Sequence, residues 1–119
     1  MELEQICQEA KAASRTLATL GTNEKNQALI AVADALIAAS ADIIAANEKD
    51  LENGRNNHMP EGLLDRLMLN EARIAQIAEG LQQVAALDDP IGEVLSMKKR
   101  PNGLMIGKKR VPLGVVGMI

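Results

Sequence analysis

Phenylalanine, tryptophan and tyrosine are all absent from this 119-residue chain. Ring-stacking platforms of the kind that hold nucleobases and many cofactors are therefore excluded, and any core has to be built from Leu, Ile, Val, Ala and Met. A single cysteine, Cys7, rules out an internal disulfide. With one histidine as well, His58, the His/Cys ligand sets of structural zinc sites cannot be assembled. No apolar run approaches the roughly 20 residues of a membrane span, so no membrane helix is expected. The N-terminus opens Met1-Glu2-Leu3-Glu4-Gln5, without the basic start and unbroken apolar stretch of a secretory signal, which points to a cytoplasmic protein. Net charge is small as well: at -3 it gives no electrostatic reason for nucleic acid or an anionic membrane to be the main partner.

What is present is mostly helical punctuation. A hydrophobic fraction of 47% and a mean hydropathy of -0.03 suit one globular domain with its own core. Leu3, Ile6, Cys7, Ala10, Ala13, Leu17 and Leu20 recur at helical steps and predict an amphipathic helix, with Gly21 at its C-terminal cap and Thr22 or Asn23 opening the next. Leu29, Ile30, Val32, Ala33, Leu36 and Ile37 give that second helix a broader apolar stripe. Ser40 is the expected cap of a third helix carrying Ile43, Ile44 and Leu51, which gives way at the polar stretch from Glu52 to His58. Pro60 should start a short helix that turns Leu63, Leu64 and Leu67 to the core. Asn70 should cap a last helix, in which Ile74, Ile77, Ala78, Leu81, Val84 and Ala85 share a face and which Asp88-Asp89-Pro90 ends.

Beyond Pro90 the period changes to that of strands. Glu93–Arg100 and Leu104–Val111 flank Asn102-Gly103, the pair favoured by a two-residue type I′ hairpin turn. After Pro112 comes the uncharged run Leu113-Gly114-Val115-Val116-Gly117-Met118-Ile119, which reads as a strand buried on both faces. Such a strand needs neighbours and a crossover, so the chain is expected to stop where a larger α/β domain begins. The organisation expected is a helical region at 1–90, a β-hairpin at 91–111, and the first strand of a truncated α/β domain at 112–119.

Several residues invite a functional reading and are given a structural one. Cys7 lies on the apolar stripe of the first helix and is read as a buried, inert thiol rather than a nucleophile. His58 is a solvated loop residue with no acid or nucleophile at a recognisable spacing. Gly103, Gly107, Gly114 and Gly117 do not form G-x-G-x-x-G and do not sit between a strand and a helix; Gly103 is the turn, and Gly114 and Gly117 are places of close backbone approach. Lys98-Lys99-Arg100 and Lys108-Lys109-Arg110 guard strand edges, or else form a cationic ribbon for an acidic neighbouring subunit or a phosphorylated ligand. Asp65-Arg66 and Asp88-Asp89 are surface charge and a helix-ending turn. No residue is assigned a catalytic, cofactor-binding or metal-binding role.

Ile43-Ile44-Ala45-Ala46-Asn47-Glu48-Lys49-Asp50-Leu51, Leu64-Asp65-Arg66-Leu67, Asp89-Pro90-Ile91-Gly92, Arg100-Pro101-Asn102-Gly103-Leu104 and Arg110-Val111-Pro112-Leu113-Gly114-Val115-Val116-Gly117, in this order, closely resemble the N-terminal portion of the gamma-glutamyl phosphate reductase family. That family, also called glutamate-5-semialdehyde dehydrogenase, belongs to the aldehyde dehydrogenase superfamily. The resemblance implies an α/β parent fold of which this chain supplies the helices, the hairpin and the first strand of a Rossmann-like sheet. It further implies NADP(H) as cofactor, L-glutamate 5-phosphate as substrate, a role in proline biosynthesis, and a homo-oligomer joined through the β-ribbon. In that family a thiolate displaces phosphate and the thioester accepts hydride; the cysteine lies in a later domain, so this chain alone is expected to be inactive. The competing expectation is a self-contained helical interaction module that pairs its ribbon with a partner.

Overall fold

The computed structural model describes residues 2–117, as five helices followed by one antiparallel hairpin. The helices are α1 (Leu3–Leu17), α2 (Thr22–Ala38), α3 (Ser40–Asn56), α4 (Glu61–Leu67) and α5 (Glu71–Ala85); the strands are β1 (Val94–Lys99) and β2 (Met105–Lys109). No single helix is long and apolar enough to cross a membrane. The chain divides into two compact units, one spanning Asn26–Leu87 and the other made of the residues up to Lys25 and from Asp88 onward.

In the Asn26–Leu87 unit, α3 packs against α4 and α5. Ala33, Leu51, Ile74 and Ala78 are buried, Ile74 with only 2% of its surface exposed. Ile43, Asn47, Leu51 and Gly54 follow one another at four- and three-residue steps and so lie along one stripe of α3. Asn47 is the polar member of that stripe and is buried with both ends of its amide engaged. Its Nδ2 donates to the Leu67 carbonyl at 2.9 Å, and its Oδ1 accepts from the Leu69 N–H at 2.7 Å. The side chain thus does for the turn after α4 what a neighbouring strand would do, satisfying one backbone donor and one acceptor there.

The polar stretch expected to break the third helix instead forms its last turn, because its polar residues lie on the solvated side while Gly54 faces inward. A Cβ at Gly54 would stand 2.9 Å from Leu64 Cδ2, so only glycine admits α4 this closely. The helix ends in a Schellman motif: the Met59 N–H donates to the Gly54 carbonyl at 2.9 Å and the His58 N–H to the Arg55 carbonyl at 3.0 Å. His58 takes the left-handed position of that motif, with φ 56°, where glycine is usual. Of the leucines assigned to the core from α4, Leu64 and Leu67 are half-buried and Leu63 stays exposed.

Two expected caps shift. Ser40 is the first helical residue of α3 rather than its cap, with Ala39 in the cap position and no side-chain bond. Gly21 caps the start of α2 instead of the end of α1: its N–H donates to Glu24 Oε2 at 2.7 Å, the returning half of a capping box. Asn70 caps α5 as expected, accepting from the Arg73 N–H at 2.8 Å.

In the other unit no described residue is buried. Cys7 is exposed, against the expectation of a core thiol, because nothing described covers the first turns of the apolar stripe of α1; Leu3 and Ile6 on the same stripe are exposed as well. The hairpin is present, but its turn is not a two-residue Asn-Gly. The Gly103 N–H donates to the Arg100 carbonyl at 2.9 Å and the Arg100 N–H to the Leu104 carbonyl at 2.7 Å, closing a three-residue loop, Pro101-Asn102-Gly103. Pro101 has the fixed φ preferred at the second position of a type I turn, so positive φ falls on Gly103 (88°) and not on Asn102. From Val111 to Gly117 the chain forms no ladder, since a strand needs a neighbour to bond and none is there among the described residues; the rest of the expected strand, Met118 and Ile119, lies outside them. Gly114 and Gly117 meet no atom within 4 Å of a built Cβ, so close approach does not explain them, although Gly114 has φ 104°.

Two variants read these local arrangements in urea unfolding. Asn47→Ala leaves the Leu67 carbonyl and the Leu69 N–H unpaired and should lower stability by about 2–3 kcal/mol. His58→Gly relieves the left-handed backbone and should raise it by about 0.5–1 kcal/mol.

Candidate functional site

The densest polar constellation is built on Asp89, in the link between α5 and the hairpin. Its Oδ1 accepts from the Ile91 N–H at 3.0 Å, an Asx turn that sets the direction in which the chain leaves Pro90. Its Oδ2 accepts from Thr22 Oγ1 at 2.9 Å and is ion-paired to Lys25 Nζ. The corner between α1 and α2 is thereby tied to the root of the hairpin by a carboxylate whose side chain is 16% exposed. Lys25 first, then the Ile91 N–H and Thr22, hold the Asp89 carboxyl down from the ordinary 3.8 to about 2. Beside it lies a cavity of about 150 Å³, lined on one side by Leu17 and Leu20 and on the other by Ile91, Pro112 and Val115. At the hairpin root the Gly92 N–H donates to the Arg110 carbonyl and the Arg110 N–H to the Glu93 carbonyl, and Arg110 Nε donates to Glu93 Oε2 at 2.9 Å.

A second constellation belongs to the Asn26–Leu87 unit. Arg73 Nη2 donates to Asp65 Oδ1 at 2.9 Å while its Nη1 donates to the Met68 carbonyl at 2.9 Å and to the Asp65 carbonyl. One guanidinium therefore ties the end of α4 to the start of α5. Asp65 pairs with Arg73 rather than with its neighbour Arg66, which borders an open concavity of about 480 Å³. Both constellations bind protein to protein. Their acids are committed to cations, backbone and, at Asp89, the Thr22 hydroxyl, and a carboxyl held at about 2 is too weak a base to activate that hydroxyl.

The remaining candidates are dispersed. Cys7 lies on the exposed stripe of α1, and His58 is spent on the C-terminus of α3, its ring exposed. Among the described residues no helix follows Lys109, so the glycines from Gly103 to Gly117 have no helix N-terminus to offer a pyrophosphate. Likewise, no group of three or more His, Cys, Asp and Glu side chains there could hold a metal ion. Asp89, Arg73 and Asn47 are the residues whose roles the sequence reading missed. An Asx-former directly before Pro, and an Asn four residues from both Ile43 and Leu51, were the available signals for two of them.

No protein-family model matches the chain. Its likeness to known proteins is nevertheless extensive, and it first defines a class: two solved reductases contain this arrangement of helices and hairpin. The crystal structure of gamma-glutamyl phosphate reductase from Thermotoga maritima superposes with a TM-score of 0.85 at 36% identity, over 94% of this chain and 27% of that one. The corresponding structure from Saccharomyces cerevisiae gives 0.74 at 30% identity, over 87% and 26%. Among curated sequences, the gamma-glutamyl phosphate reductase of Lachnospira eligens is 61% identical over 98% of this chain, and that of Clostridium novyi 57% identical over 92%. The chain thus matches the N-terminal portion of gamma-glutamyl phosphate reductases, and it spans only 28% and 26% of the length of those two relatives.

The Asp89 constellation makes a pH-dependent contribution with a definite sign. Because the folded carboxyl titrates near 2 against 3.8 for a free one, the ionised form favours the fold, so its contribution is complete above about pH 4 and disappears as pH falls toward 2. Urea unfolding of Asp89→Asn should show a variant less stable than the wild type at pH 7, with the gap closing across that acid window; a gap independent of pH would contradict the assignment.

Proposed function

We propose that this chain is the helical and ribbon part of a cytoplasmic, NADP-dependent reductase that converts L-glutamate 5-phosphate to L-glutamate 5-semialdehyde in proline biosynthesis, and that the reacting groups lie in other parts of that enzyme. The observation that carries this reading is the 61% identity to a relative of that name along nearly the whole chain, with only 28% of the relative matched. The division at 1–90, 91–111 and 112–119 then corresponds to a helical region, an association ribbon and the entry to a cofactor-binding domain. In such chemistry a thiolate attacks the acyl phosphate and expels phosphate, which requires a thiol activated by a base or a cation. Cys7, exposed on an apolar helix stripe, has no such setting.

The 119-residue chain should show no phosphate-dependent reduction of NADP with glutamate-5-semialdehyde above the blank. Turnover that disappears in Cys7→Ala would overturn the reading.

The ribbon supports a second reading, a self-contained interaction module. Val94, Met97, Leu104, Met105 and Ile106 are all more than half exposed, and a two-stranded ribbon with uncovered faces is marginal by itself in water. Pairing one open edge with a second copy would extend the ladder and cover part of that surface. Size-exclusion chromatography with light scattering should give a mass above the 12.7 kDa of one chain, falling toward it on dilution. A mass of 12.7 kDa at every concentration, with ribbon amides protected from exchange, would count against association.

A further inference from the structure

The two faces of the hairpin differ in chemistry. Its register sets Ser96 opposite Lys108 and Lys98 opposite Ile106. Directly paired residues of an antiparallel ladder project on the same side, so Ser96, Lys98 and Lys108 share one face, and Arg100, two residues beyond Lys98, joins them. These four border a common concavity of about 280 Å³. Ile106 and Gly107 also line it, and a Cβ at Gly107 would fall on the reverse face, 2.8 Å from Met97 Cε.

Charge is concentrated here against the trend of the chain. Of thirteen basic residues six fall between 98 and 110, whereas Glu93 is the one acid in 93–110. That acid is engaged by Arg110 at the ribbon root, and no carboxylate lines the concavity. Lys98 and Arg100 are about 7 Å apart along one strand, and Lys108 is diagonal to Lys98 at about 7–8 Å. Three long, flexible cationic side chains at that spacing can close on one multivalent anion, and a chain of linked phosphates offers each of them a separate charged group. Guarding strand edges does not explain the grouping. Lys99 and Lys109, which serve that purpose equally well, stand at opposite ends of the reverse face.

We propose that the Ser96–Lys98–Arg100–Lys108 face binds a polyphosphate, a chain of two or more linked phosphates that is either free or carried by a nucleotide. The three cations contact successive phosphates, and Ser96 Oγ donates to a further phosphate oxygen. Isothermal titration calorimetry on the 119-residue chain, with inorganic tripolyphosphate, a nucleoside triphosphate and orthophosphate in separate arms, tests this. Tripolyphosphate should bind saturably at one site per chain, more tightly than orthophosphate and less tightly as salt is added. Lys98→Gln with Lys108→Gln should weaken it by about tenfold or more, and Lys99→Gln with Lys109→Gln by less than about threefold. A nucleoside triphosphate matching tripolyphosphate means that the phosphate chain alone is read, and one binding more tightly identifies the nucleotide as the source; either supports the site. The proposal is overturned by absence of saturable binding, by equal losses in both double variants, or by self-association that Lys98→Gln with Lys108→Gln abolishes while no phosphate binds. That last result would make the acidic surface of a second copy the occupant.

Discussion

The carboxylate of Asp89 is the interaction on which the placement of the hairpin depends. It is a short side chain that takes hydrogen bonds from Thr22 and from the Ile91 backbone while pairing with Lys25. These partners come from the start of α2 and from the link into the hairpin, which are far apart in sequence. No buried apolar residue assists in that unit of the chain, so the geometry of the link is set by one charged group and a few donors. Charge-assisted bonds of this sort are directional and stronger than neutral ones, which suits them to fixing an angle where there is no packing to do so. Ionisation of Asp89 well below the usual carboxylate range is the electrostatic signature of that arrangement.

Apolar burial follows a different geography. Ile74, Ala78, Leu51 and Ala33 are sequestered within Asn26–Leu87, where Asn47 and Arg73 satisfy the backbone at the C-terminal end of α4. Outside it, the apolar stripe of α1, both ribbon faces and the run from Val111 to Val116 are open to solvent. Exposed apolar side chains in such number leave these segments with little burial to hold them.

Much of this was legible in the sequence, and the misses share a cause. Helix positions and the Asn70 cap follow from periodicity and from a side chain that can reach its own backbone. The hairpin was legible too, but Pro101 moved its turn by one residue, because a residue with fixed φ outranks the preference of an Asn-Gly pair. Cys7 was misread because a helical stripe predicts that a face is apolar and says nothing about what covers it. The polar stretch after Leu51 was misread because Gly54, a helix breaker by propensity, is required there by the approach of Leu64. Asp89 reads locally as part of a helix-ending turn, and its ties to Thr22 and Lys25 are hidden because those partners lie more than sixty residues away, a contact no local pattern displays.

The central claim is that stable burial is confined to Asn26–Leu87, while α1 and the hairpin carry no buried residue. Residue-resolved amide hydrogen exchange on the 119-residue chain, at a concentration where it is monomeric, tests it most directly. The account predicts the slowest exchange at amides near Leu51, Ile74 and Ala78, and exchange faster by orders of magnitude along Leu3–Leu17 and Val94–Lys109. Protection of α1 or the hairpin equal to that of Ile74 would contradict it.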